Sequence, residues 1–136
     1  SHIGVYGVVG LICMLGLQAA LYGQMAKHSL WPILGVMALS RAIMVPLMTA
    51  MPNARSKGLS ASVGRPIMLT AILAVALGGV IAVLSGAWPA LIGAPLGGLA
   101  VAAIAKRKIG GQTGDILGAC QQCAETCALI CLVAFL

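Results

Sequence analysis

"IMLTAILAVALGGVIAVLS", residues 67–85, runs nineteen positions without a charged side chain. As a helix rising ~1.5 Å per residue it would cover roughly 28 Å, close to the thickness of bilayer hydrocarbon. A strand of a lipid-embedded barrel would alternate polar and apolar positions instead, because its two faces meet different solvents. The stretch therefore reads as a membrane-spanning helix. Working outward, residues 3–25 and "LWPILGVMALSRAIMVPLMTAM" (30–51) precede it, and residues 90–105 and 116–136 follow. The expected fold is all-α: a polytopic membrane protein with about five transmembrane helices, residues 1–136 forming one membrane domain. The fourth segment is the shortest. With Pro95, Gly97 and Gly98 inside it, it should be tilted, kinked or closely packed.

Composition agrees. Of 136 residues, 61% are hydrophobic and 7% charged, against about 25% charged in soluble domains. So few charges cannot solvate a surface, and lipid is the expected partner. The net charge of +6 would suggest nucleic acid in a soluble chain. Here the cations sit at segment ends, and aromatics make up only 4%, too few for a base-stacking platform. Nucleic acid is excluded as a partner. Eighteen glycines suit close helix contacts, which lipid does not drive hydrophobically.

Charge placement predicts orientation. Arg55, Lys57 and Arg65 lie in "PNARSKGLSASVGRP" (52–66), and Lys106, Arg107 and Lys108 open "KRKIGGQTGDILGAC" (106–120). Two crossings separate these linkers, so they share a face, and the positive-inside bias puts that face in the cytoplasm. "AKHS" (26–29) and "GAWP" (86–89) then lie outside.

On the cytoplasmic face, Asp115 reads first as an N-cap of the last helix. The functional alternative is a metal ligand or an organiser of a phosphate-bearing substrate, beside glycines that allow close backbone approach. Arg55, Lys57 and Arg65 set orientation and attract anionic lipid, or else hold phosphates. One carboxylate is the least that a magnesium–phosphate site can use. Arg41 and Glu125 each lie about ten residues into their segments, near mid-membrane, where an unpaired ion is costly. They are expected to pair. Cys120, Cys123, Cys127 and Cys131 recur on one helical stripe and read as packing thiols. Cys13 reads the same way.

"SHIGVYGV" (1–8), "LSRAIMV" (39–45), "MPNARSKGL" (51–59) and "KIGGQTGDILGACQQCAE" (108–125) resemble, in order, the C-terminal half of the cobalamin synthase family. The family is also called adenosylcobinamide-GDP ribazoletransferase. The resemblance implies a multi-pass bacterial inner-membrane enzyme whose chemistry faces the cytoplasm. Its implied reaction joins adenosylcobinamide-GDP to alpha-ribazole or its 5'-phosphate, releasing GMP, with Mg2+ required. The positions matching the family's motifs are Arg41, Arg55, Gly58, Gly110, Gly111, Thr113, Gly114, Asp115 and Glu125. The expected roles are Asp115, Arg55 and Lys57 at the reacting centre, with Asp115 also on the metal. Gly110, Gly111, Thr113, Gly114 and Arg65 are expected on the bound phosphates, and Arg41 and Glu125 organise the site. The family also carries an Asp-rich "D-x-x-D-G" stretch upstream of the region matching residues 1–7. This chain is therefore expected to be a C-terminal part of a longer enzyme, partnered by an N-terminal half or by its own copies. An inactive membrane fragment and a small-solute transporter are the competing readings.

Overall fold

The computed structural model describes residues 4–54 and 64–136, and most of them are helical. In chain order the helices are α1 (Val5–Ala26), α2 (Trp31–Ala42), α3 (Met44–Ala50), α4 (Met68–Leu84), α5 (Ala90–Lys108) and α6 (Gly114–Ala134). By length and hydropathy, α1, α2 with α3, α5 and α6 can each cross a membrane, and α4 is a shorter apolar helix. This is the all-α, multi-pass architecture that the apolar runs predict.

Two boundaries differ from expectation. The second segment is broken at Ile43 into α2 and α3. Pro46, inside α3, has no N–H to give the Ala42 carbonyl, and its ring crowds that oxygen. The fourth segment is longer than expected. It continues through Lys106, Arg107 and Lys108, which occupy the last turn of α5 and favour the negative end of its dipole. Pro95 is absorbed within the same helix.

The interior is built from small residues. Ala82, Ala87, Ala90, Ala94, Ala124 and Ala128 are fully buried beside Val36, Leu39 and Leu129. Helices α5 and α6 form the closest pair. A Cβ added at Gly93 would lie 2.6 Å from the Cys127 carbonyl carbon, and one at Gly97 would lie 2.6 Å from that of Cys123. Glycine is what allows these backbones to touch. On α4, Gly78 packs against Leu39 and Ala42 of α2 in the same manner. Large apolar side chains such as Leu73, Leu77, Leu96 and Leu99 point outward, where lipid takes the place of water.

Cys120 is fully buried and its thiol lies 4.0 Å from the Gly98 carbonyl oxygen. Cys123, Cys127 and Cys131 are half-buried, and none of the five cysteines is disulfide-bonded. Cys13, expected to pack inside, is exposed on α1.

Candidate functional site

Two polar constellations interrupt the apolar body. The first lies where the chain leaves α3 and where it enters α6. Asn53 and Gln112 form a one-residue parallel bridge. The Gln112 N–H donates to the Pro52 carbonyl at 2.8 Å, and the Ala54 N–H donates to the Gln112 carbonyl at 2.9 Å. The Gln112 side-chain amide donates to the Met48 carbonyl at 3.2 Å and to Asn53 Oδ1 at 3.1 Å. Four hydrogen bonds thus hold one fully buried glutamine, three to the other linker and one to Met48 of α3, and among the described residues its Oε1 has no partner.

The glycines before it make this approach possible. Gly110 has φ +77°, in the left-handed region that side chains disfavour. A Cβ at Gly111 would meet the Pro52 carbonyl oxygen at 2.5 Å and the Ala54 nitrogen at 3.0 Å. The bridge brings Asn53 of one cationic linker and Gln112 of the other together at one end of the bundle, as the charge pattern requires.

Thr113, not Asp115, caps α6. Its Oγ1 accepts the Ile116 N–H at 3.3 Å. Backbone pairing at residue 112 holds the preceding chain extended, so the helix begins at Gly114 and Asp115 falls in its first turn. That releases the Asp115 carboxylate, which is exposed beside a cavity of about 430 Å³ lined by Ala54, Ala105, Ile109, Thr113 and Ile116. Gly114 is exposed with open space where a Cβ would stand. Arg65 is exposed, and its Nη2 donates to the Thr49 carbonyl at 2.7 Å. Arg55, Lys57 and Gly58 lie outside the described residues, although Ala54, the residue before Arg55, lines the Asp115 cavity.

The second constellation surrounds Glu125, halfway along α6. The Tyr22 hydroxyl donates to Oε1. Oε2 accepts from the Gln121 side-chain amide at 3.0 Å and from Ser40 Oγ at 3.3 Å. Arg41 Nη1 lies 3.9 Å from the same oxygen and donates to the Met37 carbonyl at 2.9 Å. One turn away, the Gln18 side-chain amide donates to Thr126 Oγ1 at 2.9 Å and to the Gln122 carbonyl at 3.4 Å. The network ties α1, α2 and α6 together. A buried carboxylate with this many donors is the arrangement that low-dielectric burial demands.

The chain has two carboxylate side chains. Glu125 is consumed by its network, and Asp115 stands ten residues away along α6, about 15 Å by helical rise. Among the described residues no group of three His, Cys, Asp or Glu side chains could hold a metal. The described residues do not fit a magnesium site by themselves; Asp115 offers one ligand.

Sequence reasoning passed over Asn53, Gln18, Tyr22 and Ser40, and for Gln112 left open hydrogen bonding to polar groups or to substrate. The signal for Gln18 and Tyr22 was present: two polar groups four residues apart on one face of an apolar helix.

The family model described as Cobalamin-5-phosphate synthase matches residues 1–133. An adenosylcobinamide-GDP ribazoletransferase of Bradyrhizobium diazoefficiens is 40% identical over 145 residues, covering 99% of this chain and 54% of the relative. A protein of the same name from Rhizobium johnstonii is 35% identical over 150 residues, covering 100% of the chain and 57% of the relative. Another, from Mesorhizobium japonicum, is 36% identical over 135 residues, covering 96% and 52%. The chain spans about half the length of the curated relatives it matches. No solved structure matches it.

Proposed function

Because the chain belongs to the cobalamin-5-phosphate synthase family, we propose that it is the membrane-embedded C-terminal part of a ribazoletransferase of cobalamin biosynthesis. The reaction moves the adenosylcobinamide phosphoryl group from adenosylcobinamide-GDP to alpha-ribazole or alpha-ribazole 5'-phosphate. An oxygen of the ribazole forms a bond to the cobinamide-side phosphorus, the bond from that phosphorus to the GMP oxygen breaks, and the hydroxyl proton is lost. The enzyme lies in the bacterial inner membrane with this chemistry on the cytoplasmic side.

One observation supports the location above the others. The Gln112 clamp brings the Asn53 end of one cationic linker against the Gly-rich entry to α6, beside the exposed Asp115 and a cavity at the bundle's end. In this reading Arg55, Lys57 and Arg65 neutralise the diphosphate, since guanidinium and ammonium donors match phosphate oxygens. Gly110 and Gly114 let the phosphates approach the backbone, whereas Gly111, expected to do the same, is buried against Pro52 and Ala54 and serves the clamp instead, and Thr113 fixes the first turn of α6. Asp115 orients the site and would offer one carboxylate to Mg2+, which when bound would neutralise phosphate charge. Glu125 and Arg41 act from below as positioning residues.

The test is GMP release. A form of the protein spanning the relatives' full length, purified in lipid, should release GMP only when Mg2+, adenosylcobinamide-GDP and alpha-ribazole or its phosphate are all present. Asp115→Asn should lower the rate without unfolding the protein. Absence of GMP release from folded full-length protein rejects the reaction.

A further inference from the structure

Arg41 is oddly placed for a residue whose assigned partner is Glu125. It lies ten residues into the span Trp31–Ala50, about 15 Å along the helix from its start and therefore near mid-membrane. Yet 55% of its side chain is exposed, and its 3.9 Å approach to Glu125 is longer than a hydrogen bond. The Glu125 oxygen it faces already accepts from Ser40 and Gln121. Among the described residues only Nη1 of Arg41 is engaged, while a guanidinium carries five N–H donors. Leaving the others against hydrocarbon is costly.

The surface around it is uncovered as well. Trp31, Leu34, Met37 and Arg41 follow one another at three- and four-residue spacing on α2, and all are exposed. Almost none of α1 is buried. An apolar stripe with one deep cation fits an apolar helix that carries one anion at the same depth.

We propose that this stripe is the seat of a further transmembrane helix bearing a carboxylate opposite Arg41. A second copy of the chain does not meet the requirement. Its two side-chain carboxylates are Glu125, buried in its own network, and Asp115, at the membrane-edge end of α6. Lipid phosphates lie at the headgroups, about 15 Å from this depth. The carboxylate therefore comes from polypeptide outside this chain. The matched relatives have length to supply it, since the chain covers only 54% and 57% of two of them. The inference rests on burial and charge and is independent of the reaction proposed above.

A model helix tests it. The protein, donor-labelled on Cys13, is reconstituted in phosphatidylcholine vesicles at pH 8 with acceptor-labelled Leu/Ala helices of membrane-spanning length. One peptide carries Glu at its centre, one carries Gln there, and one carries Glu displaced by six residues. Energy transfer should report roughly tenfold tighter association for the central-Glu peptide than for the other two. Arg41→Gln should abolish the difference. Equal association of all three peptides with the unsubstituted protein overturns the proposal without relying on any variant's folding. A preference for central Glu that survives in Arg41→Gln overturns it too, by assigning the attraction to another group.

Discussion

Replacing Gly97 by alanine should separate the two most intimate helices. The added Cβ would lie 2.6 Å from the Cys123 carbonyl carbon and 2.8 Å from the Ala124 nitrogen, against about 3.5–4.0 Å for a comfortable carbon contact. Both neighbours are backbone, so no side chain can swing aside, and α6 must move by about 1 Å. Overpacking of this kind costs ~1–3 kcal/mol, partly offset by the ~1 kcal/mol that alanine gains over glycine in a helix. Gly79→Ala isolates that gain, because its Cβ would meet only Leu91 Cδ2 at an ordinary 3.6 Å. The stability difference between the two variants should therefore be ~1–3 kcal/mol, with Gly97→Ala the weaker. Reversible unfolding of purified protein by dodecyl sulfate in mixed micelles would measure it. Tryptophan fluorescence can report the transition, since Trp88 stacks edge-on to Phe135 with ring centroids 5.1 Å apart. Equal stability of Gly97→Ala and Gly79→Ala would refute the claim that glycine sets the α5–α6 distance.

The same assay tests the cap: Thr113→Ala should cost ~1 kcal/mol and Thr113→Ser almost nothing, whereas equal losses would place the cap elsewhere. Glu125→Leu strands the Tyr22, Ser40 and Gln121 donors and should destabilise by about 3 kcal/mol or more, with Glu125→Gln milder; the reverse order would mean that the network does not stabilise the fold. A double-mutant cycle on Arg41→Ala and Glu125→Ala should show coupling on the order of 1 kcal/mol, and strictly additive losses would deny the pair. In a cysteine-free background, single cysteines at Ala54 and Lys106 should label from one side of the membrane and one at Gly86 from the other; opposite labelling of 54 and 106 would break the topology.

The spans were legible because lipid leaves the backbone little choice. Every N–H and C=O must be satisfied within the segment, so an apolar run such as 3–25 has one reading. The break at Ile43 was not legible, since Pro46 can be absorbed in a helix just as Pro95 is, and packing decides between the outcomes. The start of α6 was misplaced for a similar reason. Thr113 and Asp115 are both capping residues, and the choice is made by Gln112, which pairs with a segment distant in sequence. The depth of Arg41 and Glu125 could be counted along their helices. That Glu125 also gathers Tyr22 and Ser40 could not, because it depends on how α1 and α2 rotate against α6. For the candidate site, the sequence pointed to the two cationic linkers, while the clamp joining them emerged only in three dimensions.

The Asn53–Gln112 bridge also imposes an order on assembly. Between its two residues the chain makes the whole of α4 and α5. Gln112 cannot reach Asn53 until the α4–α5 hairpin has returned the chain to the end of the bundle from which it left. A chain in which either helix failed to insert would bring residue 112 to the opposite side, and the clamp would never close. Asn53 and Ala54 are therefore held beside the entry to α6 only in molecules whose intervening hairpin is complete, so the bridge works as an inspection step built into the path of the polypeptide.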